Sequence, residues 1–516
     1  MFSSLAILAV AGLAAGLAVA GANGTSARRV SASARASVTG RVVGGLGDAA
    51  GTPPGRANIV FILTDDLSMD LLPFMPQVKA LQARGMTFSD YFVSDSLCCP
   101  SRSSIFTGNF PHDSGVFTNV GPDGGIRAFF ANGDENHTFN VALQQAGYVT
   151  AMMGKYLNGY LEGPKLSPVS NDFIPPGWNE WDVVGLGYME FNYEMNQDGK
   201  LRHYGDTPDD YLTNVLAERA VGFIRRASKQ TRPFFLEVAT FAPHRPYKPS
   251  PRYTDAFSGI TAPEPPNFDV LPINPPSWLA GHPPLTATKI QEINRVFQER
   301  VEDVQSVDNM IGSIENSLAN HGMLKNTYIV FSSDNGLHTG EYRLMPGKLT
   351  AYDTDIHVPL IVAGPGVPAG AKTDAMTENI DLAKTFTAIG GTTLPSDGHS
   401  LMALLEGGHP SDWRNAILVE HHGPDYGQTD PDAQNFDSGN PTTYEAMRTP
   451  DFLYVEYADG EKEFYELTTD PYELDNIVDR LTPAELARLH RELLALEHCH
   501  GGKECWAAGH VAPAPN

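Results

Sequence analysis

A short run near residue 100 combines a thiol, a proline and a guanidinium in an order that suits nucleophilic chemistry. It reads Cys98-Cys99-Pro100-Ser101-Arg102 and continues to Thr107-Gly108. Pro100 favours the first turn of a helix, which would hold Cys98 at the positive end of the dipole, with Arg102 one turn later. From these residues alone, Cys98 is either a low-pKa thiolate nucleophile or a buried structural thiol. The second interpretation explains neither the neighbouring Cys99 nor the arginine.

Paired oxygen ligands follow two apolar runs of the chain. Asp65-Asp66 come directly after Asn58 to Thr64, and Asp334-Asn335 follow the run that starts at Thr327. Carboxylate and amide oxygens suit a hard cation such as Ca²⁺ or Mg²⁺, whereas softer metals prefer His or Cys. Ordinary turn chemistry is the alternative for either pair alone. The two pairs together predict a metal site at the carboxyl ends of two strands.

Residues 98–102 and 107–108 resemble the motif of the sulfatase family, which is Cys-x-Pro-Ser-Arg followed by Thr-Gly. The two polar pairs also occur in the order that this family shows. The resemblance spans about residues 56 to 500 and implies an alkaline phosphatase-like sulfatase fold. It implies that a separate formylglycine-generating enzyme converts Cys98 to 3-oxoalanine (Cα-formylglycine), whose hydrate attacks sulfur. It further implies a Ca²⁺ cofactor, with Mg²⁺ as the alternative, bound by Asp65, Asp66, Asp334, Asn335 and residue 98.

The resemblance also assigns the cations of the site. Arg102 would steady the aldehyde, and the sulfate would be bound by Lys155, His244 and Lys348, with His338 as a further substrate-binding residue. In the implied reaction Asp334 accepts the proton of the nucleophile, and His244 or Lys348 assists the departing alkoxide.

A narrower likeness connects the chain with N-acetylglucosamine-6-sulfatases and related heparan-type glucosamine sulfatases. They share the doubled Cys, the run Gly-Lys-Tyr-Leu-Asn (154–158), the run 334–340 and a near-terminal Cys pair. Many sulfatases have a His where this chain has Leu157, so the proton acceptor for sulfate release is unnamed, with His112 and His338 as candidates. His357 stands where Arg or Lys is common.

These features predict a sulfuric ester hydrolase that acts on a glucosamine 6-O-sulfate-type sugar. An arylsulfatase of broad specificity and a phosphonate monoester or phosphodiester hydrolase are alternatives, because one scaffold hosts several substrates. A non-catalytic protein that binds sulfated glycans is the remaining alternative. His421, His422, Asp425 and Tyr426 either rim the substrate pocket or form a solvated loop.

The elements that must position these residues follow an α/β pattern. Apolar runs typical of doubly buried strands alternate with amphipathic helices, the longest over about 285 to 318. This predicts a large, mostly parallel or mixed sheet flanked by helices, with ligands at the strands' carboxyl ends. After about residue 400, short alternating strands and a closing helix predict a smaller α+β subdomain. We therefore expect a catalytic domain over 56–400 and a C-terminal subdomain over 401–516.

Composition and the chain start indicate the compartment and exclude some partners. The formal net charge of −25 argues against sequence-independent binding of nucleic acid. Residues 1–22 are typical of a signal peptide, with an uncleaved membrane anchor as the alternative, and residues 23–55 are typical of a flexible leader. No later run is long and apolar enough for stable membrane insertion. A secreted protein is expected. Cys499 and Cys505 then predict a disulfide, with a zinc site shared with His498 and His500 as the alternative.

Overall fold

The computed structural model describes residues 56–163, 165–424, 430 and 432–515. The predicted signal peptide (1–22) and leader (23–55) lie outside the described residues, as do Asp425 and Tyr426. Among the described residues, no helix combines the length and apolar character needed to cross a membrane.

Strands and helices alternate along most of the described chain. The strands are β1 Asn58–Thr64, β2 Met86–Phe88, β3 Tyr91–Phe92, β4 Val149–Lys155, β5 Glu180–Val184, β6 Tyr193–Gln197, β7 Lys200–Tyr204, β8 Phe234–Ala239, β9 Thr327–Ser333, β10 Leu360–Ala363, β11 Ala371–Thr373, β12 Thr377–Glu378, β13 Ile417–His421, β14 Tyr444–Arg448, β15 Phe452–Tyr457 and β16 Lys462–Glu466. The α-helices are α1 Pro76–Arg84, α2 Cys98–Thr107, α3 Pro111–Ser114, α4 Gly125–Asn132, α5 Phe139–Gln145, α6 Leu212–Ala227, α7 Ser277–Ala280, α8 Ala287–Asn320, α9 Asp353–Ile356, α10 Asp381–Ile389, α11 Met402–Leu405, α12 Pro483–Glu497 and α13 Gly501–Ala508.

A ten-stranded mixed sheet forms the centre of the fold, in the order β11-β2-β10-β9-β1-β8-β4-β5-β6-β7. Its middle, β9-β1-β8-β4-β5, is parallel, whereas β10, β6 and β7 pair antiparallel with their neighbours. The prediction of a large, mostly parallel or mixed sheet flanked by helices is confirmed.

Both faces of this sheet are covered, as the unbroken apolar runs predict. In β1, Ile59, Phe61 and Leu63 enter one hydrophobic cluster, and Val60 and Ile62 enter the other. The second cluster includes residues of α6 and α8, whose apolar stripes lie against the sheet. Two buried faces fix the strands rigidly, so side chains at their ends have fixed positions.

A second, antiparallel sheet, β13-β14-β15-β16, forms the smaller α+β part near the C-terminus. Leu418 and Met447 pack on one of its faces with Leu489 and Leu493 of α12. Its other face, through Val419, joins the hydrophobic cluster of the large sheet. The expected boundary between 400 and 401 stays a prediction.

The near-terminal cysteines form the predicted disulfide. Cys499 and Cys505 are joined, and their Cα atoms lie 4.9 Å apart. Because both sulfurs are used in this bond, the zinc alternative is wrong.

Candidate functional site

The chemistry-bearing residues meet because four neighbouring parallel strands end at one edge of the large sheet. In the β1–β9 register Thr64 is opposite Ser333, and in the β4–β8 register Gly154 is opposite Ala239. Asp65-Asp66 continue β1, Asp334-Asn335 continue β9, Lys155 is the last residue of β4, and the loop after β8 carries His244. The register therefore brings together residues that lie hundreds of positions apart in sequence.

The helix α2 delivers residue 98 to this edge. It begins at Cys98, with Pro100 in its first turn, and ends before Gly108, whose φ of 72° closes the helix as a left-handed cap. Ser101 donates a hydrogen bond to the Asp334 carbonyl at 2.5 Å, which ties the first turn to the end of β9. The predicted helix start at Cys98 is confirmed.

The sulfur of Cys98 is fully buried among charged groups. Sγ lies 3.0 Å from Lys348 Nζ, 3.2 Å from Asp65 Oδ1 and 3.4 Å from Asp432 Oδ2. Burial raises the pKa of the thiol well above its ordinary value, and the negative charges of Asp432 and Asp65 raise it further. The positive charges of Lys155 and Lys348 lower it by less. The unmodified side chain is therefore not the low-pKa thiolate that a helix N-terminus alone suggests.

Oxygen ligands for a hard cation converge beside this sulfur. Ligand atoms of Asp65, Asp66, Cys98 and His244 lie within 4.8 Å of one another. Asn335 donates to Asp66 Oδ1 at 2.6 Å, while its own buried Oδ1 has no hydrogen-bond partner among the described residues. An orphaned amide oxygen next to two carboxylates fits a Ca²⁺ or Mg²⁺ ion, which binds oxygen. Asp66 has a φ of 61°, a strained value for a non-glycine residue that is typical of functional sites.

Two buried cations, Lys155 and Arg102, bind the carboxylates of Asp65 and Asp334. Lys155 Nζ donates to Asp65 Oδ2 at 2.5 Å, and Arg102 Nε donates to Asp334 Oδ2 at 2.8 Å. Arg102 also donates to the Lys155 carbonyl at 3.2 Å, so the two cations are linked. Burial raises the pKa of Asp334, as does the charge of Asp65, to about 6 despite the two cations.

Two further cations lie on the other side of the sulfur. Lys348 Nζ donates to Asp66 Oδ1 at 2.6 Å. His244 Nδ1 donates to the Arg245 carbonyl at 2.6 Å, and Nε2 donates to Asp432 Oδ1 at 2.5 Å. Burial would lower the pKa of His244, but the carboxylates of Asp432, Asp66 and Asp65 raise it. Both ring nitrogens face acceptor oxygens, an arrangement that favours the protonated imidazolium.

Sequence reasoning missed Asp432 and its partner Asn119. Asp432 lies beyond the large sheet, before β14. It accepts hydrogen bonds from His244 and, at 2.8 Å, from Asn119 Nδ2, and it forms an ion pair with Lys348 at 3.1 Å. Asn119 Oδ1 in turn accepts from the Cys99 N–H at 2.9 Å. The polar sequence around Asp432 gives no periodic signal, so only tertiary contacts reveal its place.

Other histidines highlighted by the sequence have different partners. His338 is buried between Asp355, at 3.0 Å, and the Ser438 carbonyl, and its backbone pairs with Gly347, directly before Lys348. His112 donates to Glu420 and to the Cys499 carbonyl, both at 2.9 Å. Among the described residues, neither ring forms a hydrogen bond with Cys98.

The remaining positions singled out by the sequence have partners of other kinds. Leu157 packs in the apolar core. His357 stacks on Phe92 at 5.0 Å. His422 stacks on Phe117 at 3.7 Å and donates to Asp123 at 2.9 Å, while His421 is buried beside Tyr444.

Comparisons with known protein families match two models to this chain. The model described as Sulfatase matches residues 57–392. The model described as N-sulphoglucosamine sulphohydrolase, C-terminal, matches residues 340–498. The first match covers more than half of the chain and includes every strand end described above.

Individual relatives agree with these family models. The human N-acetylglucosamine-6-sulfatase is 35% identical over 494 residues, which are 90% of this chain and 88% of that protein. A solved structure of a protein in complex with its substrate D-glucosamine-2-N,6-O-disulfate superposes with a TM-score of 0.70 at 25% identity, covering 86% of this chain and 96% of the other. The phosphonate monoester hydrolase of Agrobacterium radiobacter has a TM-score of 0.65 at 21% identity, with coverage of 86% and 95%, and shares the fold.

Proposed function

The chain belongs to the sulfatase family, and from that premise we propose that it hydrolyses the 6-O-sulfate ester of a glucosamine-type sugar with residue 98 as nucleophile. The activity named for the human relative and the sugar bound in the solved structure support this substrate class. Within it, formylglycine at residue 98 and a Ca²⁺ ion held by Asp65, Asp66, Asp334 and Asn335 belong to the same proposal.

One observation carries the proposal: four cations and four carboxylates form buried ion pairs with one another, and Lys348, Asp65 and Asp432 among them contact Cys98 Sγ. The cations are Arg102, Lys155, His244 and Lys348, and the carboxylates are Asp65, Asp66, Asp334 and Asp432. Charges that balance do not favour an incoming sulfate monoester. A divalent cation among the carboxylates would leave the cations free to neutralise the sulfate oxygens, which is the main electrostatic requirement of this reaction.

Formylglycine and the divalent cation, when present, supply a hydrated aldehyde as nucleophile and a Lewis acid that favours its ionisation. The chain's own residues then bind and orient the substrate. Lys348 Nζ, 3.0 Å from the position of Sγ, would stabilise negative charge beside the reacting atom. Arg102 fixes Asp334 and the end of β4 through its two hydrogen bonds, so the site is positioned before substrate binds.

Proton transfers can be assigned from the contacts. The sequence suggests Asp334 as the acceptor, but its carboxylate is engaged by Arg102 and by the N–H groups of Asp66 and Asn335. Two carboxylate oxygens contact the nucleophilic position, Asp65 Oδ1 at 3.2 Å and Asp432 Oδ2 at 3.4 Å, and we assign this role to the nearer one, Asp65. His244, whose Nε2 contacts Asp432 and lies 3.6 Å from Asp66 Oδ2, would donate to the departing sugar oxygen when protonated.

Export to an oxidising compartment is part of the proposal. It is supported by the Cys499–Cys505 disulfide, because such bonds persist mainly in secreted proteins and oxidising compartments. The predicted signal peptide over residues 1–22 is consistent with this compartment.

Mass spectrometry of the peptide that contains residue 98, from protein purified from its native host, tests the proposal. Conversion of the thiol to the aldehyde lowers the mass by about 18 daltons. The same preparation should release inorganic sulfate from glucosamine 6-O-sulfate, Cys98→Ala should release none, and Cys98→Ser should accumulate a sulfated serine. An unmodified thiol in active protein would contradict the nucleophile, and faster hydrolysis of phosphonate monoesters than of sulfate esters would contradict the substrate.

A further inference from the structure

A cavity of about 400 Å³ adjoins the catalytic residues and carries positive charge on its wall. Arg127 and Lys165 line it, together with Asn119, Asn158 and a glycine-rich segment. Among the described residues no Asp or Glu lines this cavity, although the chain has 61 acidic residues against 36 basic ones. A carboxylate-free wall on so acidic a protein favours an anionic ligand.

Two links of the chain connect this cavity with the nucleophile. Asn119 lines the cavity and also binds the Cys99 N–H and Asp432, which lies 3.4 Å from Cys98 Sγ. Asn158 follows Lys155 by three residues, so their Cα atoms are at most about 11 Å apart. A ligand in the cavity would therefore lie beside a group bound at the catalytic residues.

Asn158 supplies a second, independent sign of a ligand. Its side chain is 3% exposed, yet within the described chain neither its amide nitrogen nor its amide oxygen has a hydrogen-bond partner. Burying a polar group without a partner destabilises the folded chain, so an outside partner is expected. The NH₂ group suits an anionic oxygen, and the carbonyl oxygen suits a sugar hydroxyl.

The guanidinium of Arg127 contacts the backbone of Lys165. Arg127 Nη2 donates to the Lys165 carbonyl at 2.5 Å, which joins the start of α4 to the segment after Asn158. A guanidinium binds sulfate or carboxylate oxygens through two parallel N–H groups, and the lysine adds a mobile point charge.

We infer that this cavity is a second anion subsite, which binds a further sulfate or carboxylate of the same glycan. This inference rests on the proposed function. The second anion is carried either by the reacting sugar, as an N-sulfate, or by the neighbouring sugar of the chain. Asn158 contacts it from the buried side, and Arg127 and Lys165 contact it from the open side.

Steady-state kinetics with three substrates separate these sources. They are glucosamine 6-O-sulfate, glucosamine-2-N,6-O-disulfate, and a disaccharide whose second anionic group lies only on the neighbouring sugar. For the double variant Arg127→Ala, Lys165→Ala, we expect kcat/KM for one of the doubly charged substrates, relative to the monosulfated sugar, to fall at least tenfold. The affected substrate identifies the source. Lys200→Ala, an exposed lysine of the edge strand β7, is the matched control.

A loss of equal size on all three substrates, or no loss on any, would overturn the subsite and leave the proposed function intact. If the wild type hydrolyses none of these esters, the proposed function fails. The subsite is then measured by calorimetric titration of the disulfated sugar into the Cys98→Ala protein with and without Arg127→Ala and Lys165→Ala. Equal affinities would overturn the inference, and an affinity at least tenfold weaker without the two cations would support it.

Discussion

The edge of the ten-stranded sheet and the C-terminal part that covers it contribute to the same site by different means. At the sheet edge, Asp65, Lys155 and Asp334 are fixed by backbone register between strands buried on both faces. In the C-terminal part, Asp432 reaches the site from outside the strands and is held by side-chain hydrogen bonds. We infer that the sheet edge sets the geometry of the site, and that the C-terminal part adjusts how strongly anions bind there.

Removing a cation beside the nucleophile should have the largest effect on the reaction. Lys348→Ala deletes the ammonium that lies 3.0 Å from Sγ, so kcat should fall by about 10²–10³, as for other preorganised electrostatic groups. The measurement is sulfate release at saturating substrate, with circular dichroism to confirm the fold. Lys462→Ala, a lysine of the small sheet, is the control, and a similar loss there would contradict a site-specific role.

The rigidity of the sheet edge depends on a glycine directly before Lys155. Gly154 has a φ of 98°, and a Cβ there would lie 1.8 Å from the Ala239 carbonyl oxygen of β8. Gly154→Ala should therefore lower the free energy of unfolding by clearly more than the roughly 1–2 kcal/mol of left-handed strain alone. Gly147→Ala isolates that strain, because Gly147 has a φ of 96° and nothing within 4 Å of its Cβ position. Equal losses in urea denaturation would show that the strand contact is unimportant.

The adjusting role of the C-terminal part is tested at Asp432. Its carboxylate accepts hydrogen bonds from His244 and Asn119 and forms an ion pair with Lys348, and both His244 and Lys348 are expected to bind sulfate. Their charges hold the pKa of Asp432 well below its ordinary value despite burial, so it is ionised at neutral pH. Asp432→Asn should bind inorganic sulfate about tenfold more tightly, a difference of about 1.4 kcal/mol.

Competitive inhibition by sulfate measures this affinity. Asp437→Asn, which removes a half-exposed carboxylate paired with Lys289, is the matched control. Unchanged or weaker sulfate inhibition in Asp432→Asn would mean that Asp432 positions its cations rather than competing for them.

A smaller, pH-dependent effect on the free energy of unfolding is expected at His112, which joins α3 to β13 of the C-terminal part. Burial would lower the pKa of His112, but the hydrogen bond and charge of Glu420 in β13 raise it to about 9. Because the folded pKa is raised, the stabilisation is complete below the unfolded pKa near 6.5 and is lost as pH rises through about 9. His112→Gln should thus cost about 1 kcal/mol at pH 6 and little at pH 10, as measured by urea denaturation. A cost independent of pH would show that packing, not charge, joins the regions.

The sequence determined most of the first region by itself. Unbroken apolar runs predicted doubly buried strands, and the polar pairs after Thr64 and Ser333 predicted the metal site, because parallel strands present their carboxyl ends at one edge. The start of α2 at Cys98 followed from Pro100. The apolar run Val358 to Ala363 indicates a strand that starts at Val358. In the structure β10 starts two residues later, at Leu360, because Pro359 lacks a backbone donor.

Only the tertiary structure decided the second region and the details of charge. Asp432, Asn119 and the cavity wall of Arg127, Asn158 and Lys165 belong to polar segments without periodicity, and their meeting depends on long-range packing. The same holds for the pKa of Cys98, which a helix N-terminus alone would lower and which burial among carboxylates raises. Local sequence specifies secondary structure and the residues at strand ends, whereas burial and pairing of charges depend on distances that only the folded chain defines.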